Sequence, residues 1–153
     1  FECREINFFQ RFEIEDLVFM PLPMAHKVPT AGFKITYKNK QIVIATDTKE
    51  IKKECEEFIY GVDLLFIDAL GEEKMFPQLL KGFFPDKPFE EVFQPDKIDH
   101  LTICQAKTIA QKLRVQKAVA VHLTHGNEPH YALENKYNDV HFVIGYDNLQ
   151  FEF

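Results

Sequence analysis

Ile42-Val43-Ile44-Ala45-Thr46-Asp47-Thr48 is the stretch on which the fold turns. Its β-branched apolar run reads as a buried strand. The run stops on an acid, and a helical pattern follows from Lys49 to Tyr60. Ile51, Cys55, Phe58 and Ile59 recur on one side of that pattern, with Lys and Glu opposite. A strand that passes directly into an amphipathic helix belongs to an α/β sheet, and open sheets of this kind place ligands at the carboxyl ends of their strands. Asp47 stands at that end. It also fits a helix N-cap, because Glu50 follows three residues later as in a capping box.

Three other segments close on histidine: Leu22-Pro23-Met24-Ala25-His26, Lys97-Ile98-Asp99-His100 and Val121-His122-Leu123-Thr124-His125. A single histidine beside an apolar run is usually a hydrogen-bonded structural residue. One carboxylate and three histidines, each ending a segment, point instead to a metal site assembled from loops, since imidazole and carboxylate together suit divalent transition metals. Strand parity sets His122 opposite to Val121 and Leu123, so it is expected to face away from the site. His141 begins a strand and is read as structural.

Outward from Asp47 the chain alternates strands and helices. Residues 5–13 and 16–21 read as strands joined at Ile14-Glu15-Asp16, with Pro21 and Pro23 breaking the second. Phe33, Ile35 and Tyr37 alternate, and 33–46 forms a hairpin around Lys38-Asn39-Lys40. Gly61 is the expected stop of the first helix, and the strand Val62–Asp68 again ends on a carboxylate. Thr102 and Gln105 form a capping box for a helix whose inner stripe is Ala106, Ile109, Ala110 and Leu113. A strand at Lys117–Val121, a helix over 129–135 and strands at His141–Ile144 and Leu149–Phe153 complete the pattern. The result is an α/β (α+β) class, one domain over 1–153, with a mixed sheet and helices on its outer face. Residues 70–97 carry Phe76, Phe83, Phe84, Phe89 and Phe93 among four prolines, with a short helix at Leu79-Leu80. This stretch is either a packing insertion, at a subunit interface of a homodimer in one form, or a substrate lid.

Composition narrows the function. Apolar residues make up 46% of the 153, which excludes a disordered chain. No apolar run approaches a membrane span, and the start of the chain has no signal-peptide pattern. A formal net charge of −6 argues against broad nucleic-acid binding and leaves room for a small phosphate ligand beside a metal. Cys3, Cys55 and Cys104 are odd in number and lack CxxC spacing. They read as reduced thiols of a cytoplasmic protein, with Cys55 and Cys104 on buried helix faces.

In order, Leu22-Pro23-x-x-His26, Gly32-Phe33, Thr46-Asp47-Thr48, Asp63-Leu64-Leu65-x-x-Asp68-Ala69-Leu70, His100-Leu101-Thr102, Leu123-Thr124-His125 and Tyr146-Asp147 resemble the metallo-β-lactamase-fold hydrolases. The branch of PhnP-like cyclic phosphodiesterases and ribonuclease Z is the most similar. The resemblance implies a half or truncated αββα sandwich, the carboxyl-terminal part of that domain. It implies two divalent metal ions, Zn2+ or Mn2+, with His26 completing the first site, Asp47 bridging both and His125 completing the second. It also implies that His100 protonates the leaving oxygen and that Asp68 orients it. The substrate would be a small cyclic or nucleotide phosphodiester.

Two departures from the family pattern stand out. The HxHxDH motif is absent, and no His-x-His occurs in the chain. The chain begins at Phe1, and its first strands would expose an edge. The motif is therefore expected in an upstream half or a partner chain, with one metal or none held by this chain alone. After Thr124-His125 come Gly126-Asn127-Glu128, where the family often has an aliphatic-Ser-His run; His130 is a candidate substitute. The alternative function is a non-catalytic relative that binds a nucleotide or a protein partner.

Overall fold

The structure is a computed structural model that describes residues 5–77, 82, 85, 86, 88 and 98–152. Its strands are β1 (Phe12–Ile14), β2 (Leu17–Pro23), β3 (Ala31–Tyr37), β4 (Lys40–Ala45), β5 (Leu64–Asp68), β6 (Lys117–Val121) and β7 (Phe142–Ile144). They form one sheet in sequence order. The pairs β1–β2, β2–β3 and β3–β4 are antiparallel, and β4–β5, β5–β6 and β6–β7 are parallel. Because β2 and β4 both run against β3, β2 points the same way as the parallel block. The carboxyl ends of β2, β4, β5, β6 and β7 therefore share one edge.

The hairpin follows from its alternation, with Phe33 opposite Ile44 and Ile35 opposite Ile42. The expected break of β2 at its prolines does not occur. Pro21 pairs with Phe33 and Pro23 with Ala31. The N–H of Met24 donates to the Thr30 carbonyl, so even-numbered residues here address β3. Pro21 and Pro23 turn their missing donors outward, beyond the last β1 pairing at Phe19, where no ladder bond is lost. The expected strand 5–13 shrinks to Phe12–Ile14, and residues 149–152 are not in a strand.

Helices α1 (Lys53–Ile59), α2 (Ile103–Lys112) and α3 (His130–Tyr137) cover one face. Val43, Ala45, Leu65, Ile67, Ala118, Ala120 and Ile144 point there and are fully buried, with Cys55 and Ile59 of α1 and Ala106 of α2 against them. Truncating one of the large members, such as Ile67→Ala, removes about 2–5 kcal/mol of stability. Of the opposite strand positions, Ile44, Phe66 and Val143 are only half-buried, while Leu64 and Val119 are buried.

Helix α2 is capped as its sequence requires. Thr102 Oγ1 accepts the Gln105 N–H at 3.1 Å and Gln105 Oε1 accepts the Thr102 N–H at 2.8 Å. Gly61 follows α1 with φ of 69°, a left-handed stop open to glycine. Helix α1 starts later than its periodicity suggests. The loop before it is tied down instead: Thr48 Oγ1 accepts the Ala25 N–H at 3.0 Å and donates to the Glu50 carbonyl at 2.6 Å, and the Lys49 N–H donates to the Ala25 carbonyl. Asp47 thus caps no helix.

Cys55 is buried, and burial pushes its thiol up to about 11. Cys104 is exposed, one position off the buried Ile103–Ala106–Ala110 stripe, contrary to the expectation. Cys3 and the helix expected at Leu79-Leu80 lie outside the described residues, as does most of the Phe/Pro-rich stretch. Among the described residues no helix is long and apolar enough to cross a membrane.

Candidate metal centre

The shared carboxyl edge collects the titratable groups. His26 follows β2, Asp47 follows β4, Asp68 ends β5 and His122 is the first residue after β6. His100 arrives on the segment before α2. One ligand atom from each of Asp47, Asp68, His100 and His122 lies within 4.8 Å of the others.

Two of these residues sit in strained backbone. Asp47 has φ of 51° and His122 has φ of 68°. Left-handed geometry is uncommon outside glycine, although Asp and His tolerate it better than most residues, and such strain concentrates at functional sites. Here it turns each side chain back across the strand ends. This corrects the parity reading of His122. The residue lies beyond β6, so the alternation of Val121 no longer governs it, and its Nδ1 stands 3.3 Å from Asp47 Oδ1 and 3.5 Å from Asp68 Oδ2. His125 is exposed and outside the group of four.

Asp68 is the hub. Its side chain is 0% exposed. Oδ2 accepts the Thr48 N–H at 3.0 Å and lies 2.9 Å from His100 Nδ1. That hydrogen bond raises the His100 imidazole above its ordinary value against the opposing effect of burial, and the charges of Asp68, Asp47 and Asp99 add to the rise. The His100 ring packs edge-on against His122 at 4.8 Å and against His26 at 5.4 Å. Lys27, next to His26, pairs with Asp99, next to His100, at 3.0 Å and fastens those two segments together.

The donor set fits a divalent cation. Asp68 Oδ1 and His26 Nδ1 are buried and have no hydrogen-bond partner among the described residues, a costly state inside a protein and an apt one for groups that face an ion. Carboxylate oxygen and imidazole nitrogen suit zinc and manganese alike. Asp47 and His122 offer exposed side chains, 46% and 41%, and Asp68 a buried one. Beside them a cleft of about 350 Å³ runs between Phe66, Val121 and His122 on one side and Tyr146 and Asp147 on the other. A larger cavity of about 620 Å³ lies at the far edge of the sheet among Lys107, Arg114 and His141, where no such cluster occurs among the described residues. His130 packs edge-on against Tyr146 at 5.7 Å on the cleft side, and His141 bonds the Gln116 carbonyl at the far edge.

Sequence reasoning missed His122. The signal was present: His122 occupies the position after β6 that Asp47 nearly occupies after β4. Parity was applied one residue past the end of the strand.

The fold has relatives. The chain is similar to a diphosphatase from the PhnP family (22% identity, TM-score 0.70, 96% of this chain on 47% of that one). It is also similar to the metallo-β-lactamase-fold protein YhfI from Bacillus subtilis (16%, 0.66, 92% on 51%) and to the short form of human tRNase Z (18%, 0.60, 90% on 44%). At these identities the likeness carries the fold. The chain spans about half the length of each. No curated protein matches its sequence. The family model described as the beta-lactamase superfamily domain matches residues 1–123. With its mixed sheet and its cluster at the strand ends, the chain belongs to that family and has the metallo-β-lactamase fold.

Proposed function

We propose that this chain forms part of a metal-dependent phosphodiester hydrolase acting on a small cyclic or nucleotide phosphodiester. The observation that carries the reading is the convergence of Asp47, Asp68, His100 and His122 at one sheet edge, with the Asp68–His100 hydrogen bond at its centre. The relatives of known structure include a PhnP-family diphosphatase and a tRNase Z, both named for phosphate chemistry. The net charge of −6 favours a small substrate over a long polyanion.

In this proposal Asp47 and His122 hold metal, His26 contributes its buried Nδ1, and His125, exposed and outside the group of four, is not a ligand. A divalent ion, when bound, supplies a Lewis acid for the phosphoryl oxygens and acidifies a water nucleophile. His100 uses Nδ1 on Asp68, which leaves Nε2 to carry a proton to the departing oxygen. The Asp68 carboxylate orients the ring and favours its protonated form, the state a general acid requires. Further ligands, in the form of an HxHxDH segment from a longer polypeptide or a partner chain, complete the set.

The test is cleavage of a chromogenic phosphodiester with Zn2+ or Mn2+, by the chain alone and joined to an HxHxDH half. Turnover is expected only in the joined form, and Asp47→Asn should abolish it with the fold intact. Undiminished turnover in Asp47→Asn would remove the metal role from Asp47.

A further inference from the structure

The turn after β6 contains a side chain whose whole hydrogen-bonding capacity goes to backbone. Asn127 Nδ2 donates to the Leu70 carbonyl at 2.9 Å and to the Thr124 carbonyl at 3.0 Å. Its Oδ1 accepts the Glu72 N–H at 3.3 Å. The Thr124 N–H donates to the same Leu70 carbonyl at 3.0 Å. The loop that carries His122 is therefore laced to residues 70–72.

Those same residues hold the other histidine. The Leu70 N–H donates to the Leu101 carbonyl and the Ile103 N–H to the Gly71 carbonyl, both at 2.9 Å. Asp68, two residues earlier, touches both imidazoles. Residues 68–72 thus form a spine, with the His100 segment fastened to one side and the His122 loop to the other.

An independent observation shows that the sequence has made room for this amide. A Cβ at Gly71 would lie 2.2 Å from Asn127 Oδ1 and 3.0 Å from its Nδ2. Glycine is needed there to admit the side chain, not to permit a left-handed backbone. The lacing continues into α3. The buried Glu72 carboxylate accepts the Tyr137 hydroxyl at 2.7 Å and pairs with Lys136.

We infer that Asn127 is a positioning residue, which fixes the His122 loop on the spine and holds the imidazole at the metal-binding edge. The inference rests on the proposed metal site for its consequence, but not for its geometry. His122 sits at a φ of 68°, and backbone of that kind persists only when its surroundings over-determine it. Without the amide, the backbone ties that remain among the described residues are the Thr124 N–H to the Leu70 carbonyl and, on the near side of His122, the Ala69 N–H to the Val121 carbonyl at 2.9 Å, so the stretch from His122 onward is held at its two ends only.

The experiment uses this chain, alone and joined to an HxHxDH half, and three single variants of it. Asn127→Ala removes the amide. Asn127→Asp keeps shape and acceptor but loses both donations. Gly71→Ala leaves Asn127 in the sequence and displaces it. A double variant, Gly71→Ala with Asn127→Ala, relieves the clash. Two signals are read: the visible absorption of added Co2+ alone, and the ring resonances of His122 in the metal-free chain, with those of His100 as the internal reference. The expected result is about tenfold weaker Co2+ binding in each single variant, as for other residues that orient metal ligands indirectly, with His122 shifted and His100 little changed. The double variant should bind no more weakly than Gly71→Ala alone.

Wild-type His122 resonances and Co2+ affinity in folded Asn127→Asp would overturn the positioning role while leaving the metal site standing. Shifted His122 resonances in variants of a chain that binds no Co2+, alone or joined to an HxHxDH half, would uphold the positioning role and refute the metal reading. If Asn127→Ala does not fold, Asn127→Asp and Gly71→Ala decide by the same two signals.

Discussion

The two edges of this sheet hold carboxylates in opposite ways. At the amino-terminal edge, Asp63 precedes β5 and Asp139 precedes β7. Asp63 accepts the Gln41 N–H at 2.8 Å and reaches Lys40 at 3.4 Å. Asp139 pairs with Lys107 at 2.7 Å and accepts the His141 and Phe142 N–H groups, each at 2.8 Å. Both are held below their ordinary values, Asp63 first by the Gln41 amide, and Asp139 down to about 2 first by the Lys107 ammonium. Their charge is consumed locally. At the carboxyl-terminal edge, Asp47 and Asp68 face histidines and each other. Among the described residues, Asp68 Oδ1 is buried without a donor. The larger cavity lies at the amino-terminal edge and the chemistry at the other. Unspent charge, more than volume, marks the site.

That contrast can be broken most severely at Asp47. In Asp47→Asn we expect loss of Zn2+ binding by at least a hundredfold, read by calorimetry, with the melting temperature nearly unchanged because the side chain is half exposed and caps nothing. Next in size is the pair His122→Ala and His125→Ala. The first should weaken Zn2+ about ten- to a hundredfold, in line with loss of one ligand or its orienting partner, and the second by less than about threefold. Equal effects would erase the distinction between the two histidines.

The amino-terminal edge should answer in stability alone. Asp63→Ala strands the partly buried Gln41 N–H and is expected to cost about 1 kcal/mol in urea denaturation, with metal binding unaffected. The smallest effect belongs to Asp139. Its folded value lies below its unfolded one, so its stabilising contribution is present above about pH 4 and fades as the pH falls toward about 2. Asp139→Asn should flatten the acid limb of the stability curve in that window and nowhere else.

The comparison also shows what a sequence discloses. The hairpin β3–β4, strands β5 and β6 and the capped helix α2 were legible because their signals are local: alternation, β-branched runs and the Thr102–Gln105 pair. The gathering of residues at the strand ends was legible where an acid or histidine closes such a run, as Asp47, Asp68, His26 and His100 do. It was not legible at His122, where left-handed backbone after β6 cancels the parity that the strand sets up. Nor was it legible at Asn127, whose partners Leu70 and Glu72 are more than fifty residues away in the chain. The passage of β2 through Pro21 and Pro23 was hidden for a related reason. Which edge of a strand lacks a neighbour is a property of the sheet.

The central claim is that Asp47 and His122 at the carboxyl-terminal edge are metal ligands. The direct measurement is an anomalous difference map from crystals of the chain joined to an HxHxDH half, grown with Zn2+ and collected on both sides of the zinc absorption edge. A peak is expected about 2.0–2.2 Å from an Asp47 carboxylate oxygen and a His122 ring nitrogen. A peak bound by His125 without His122, or no peak at this edge of the sheet, would contradict it.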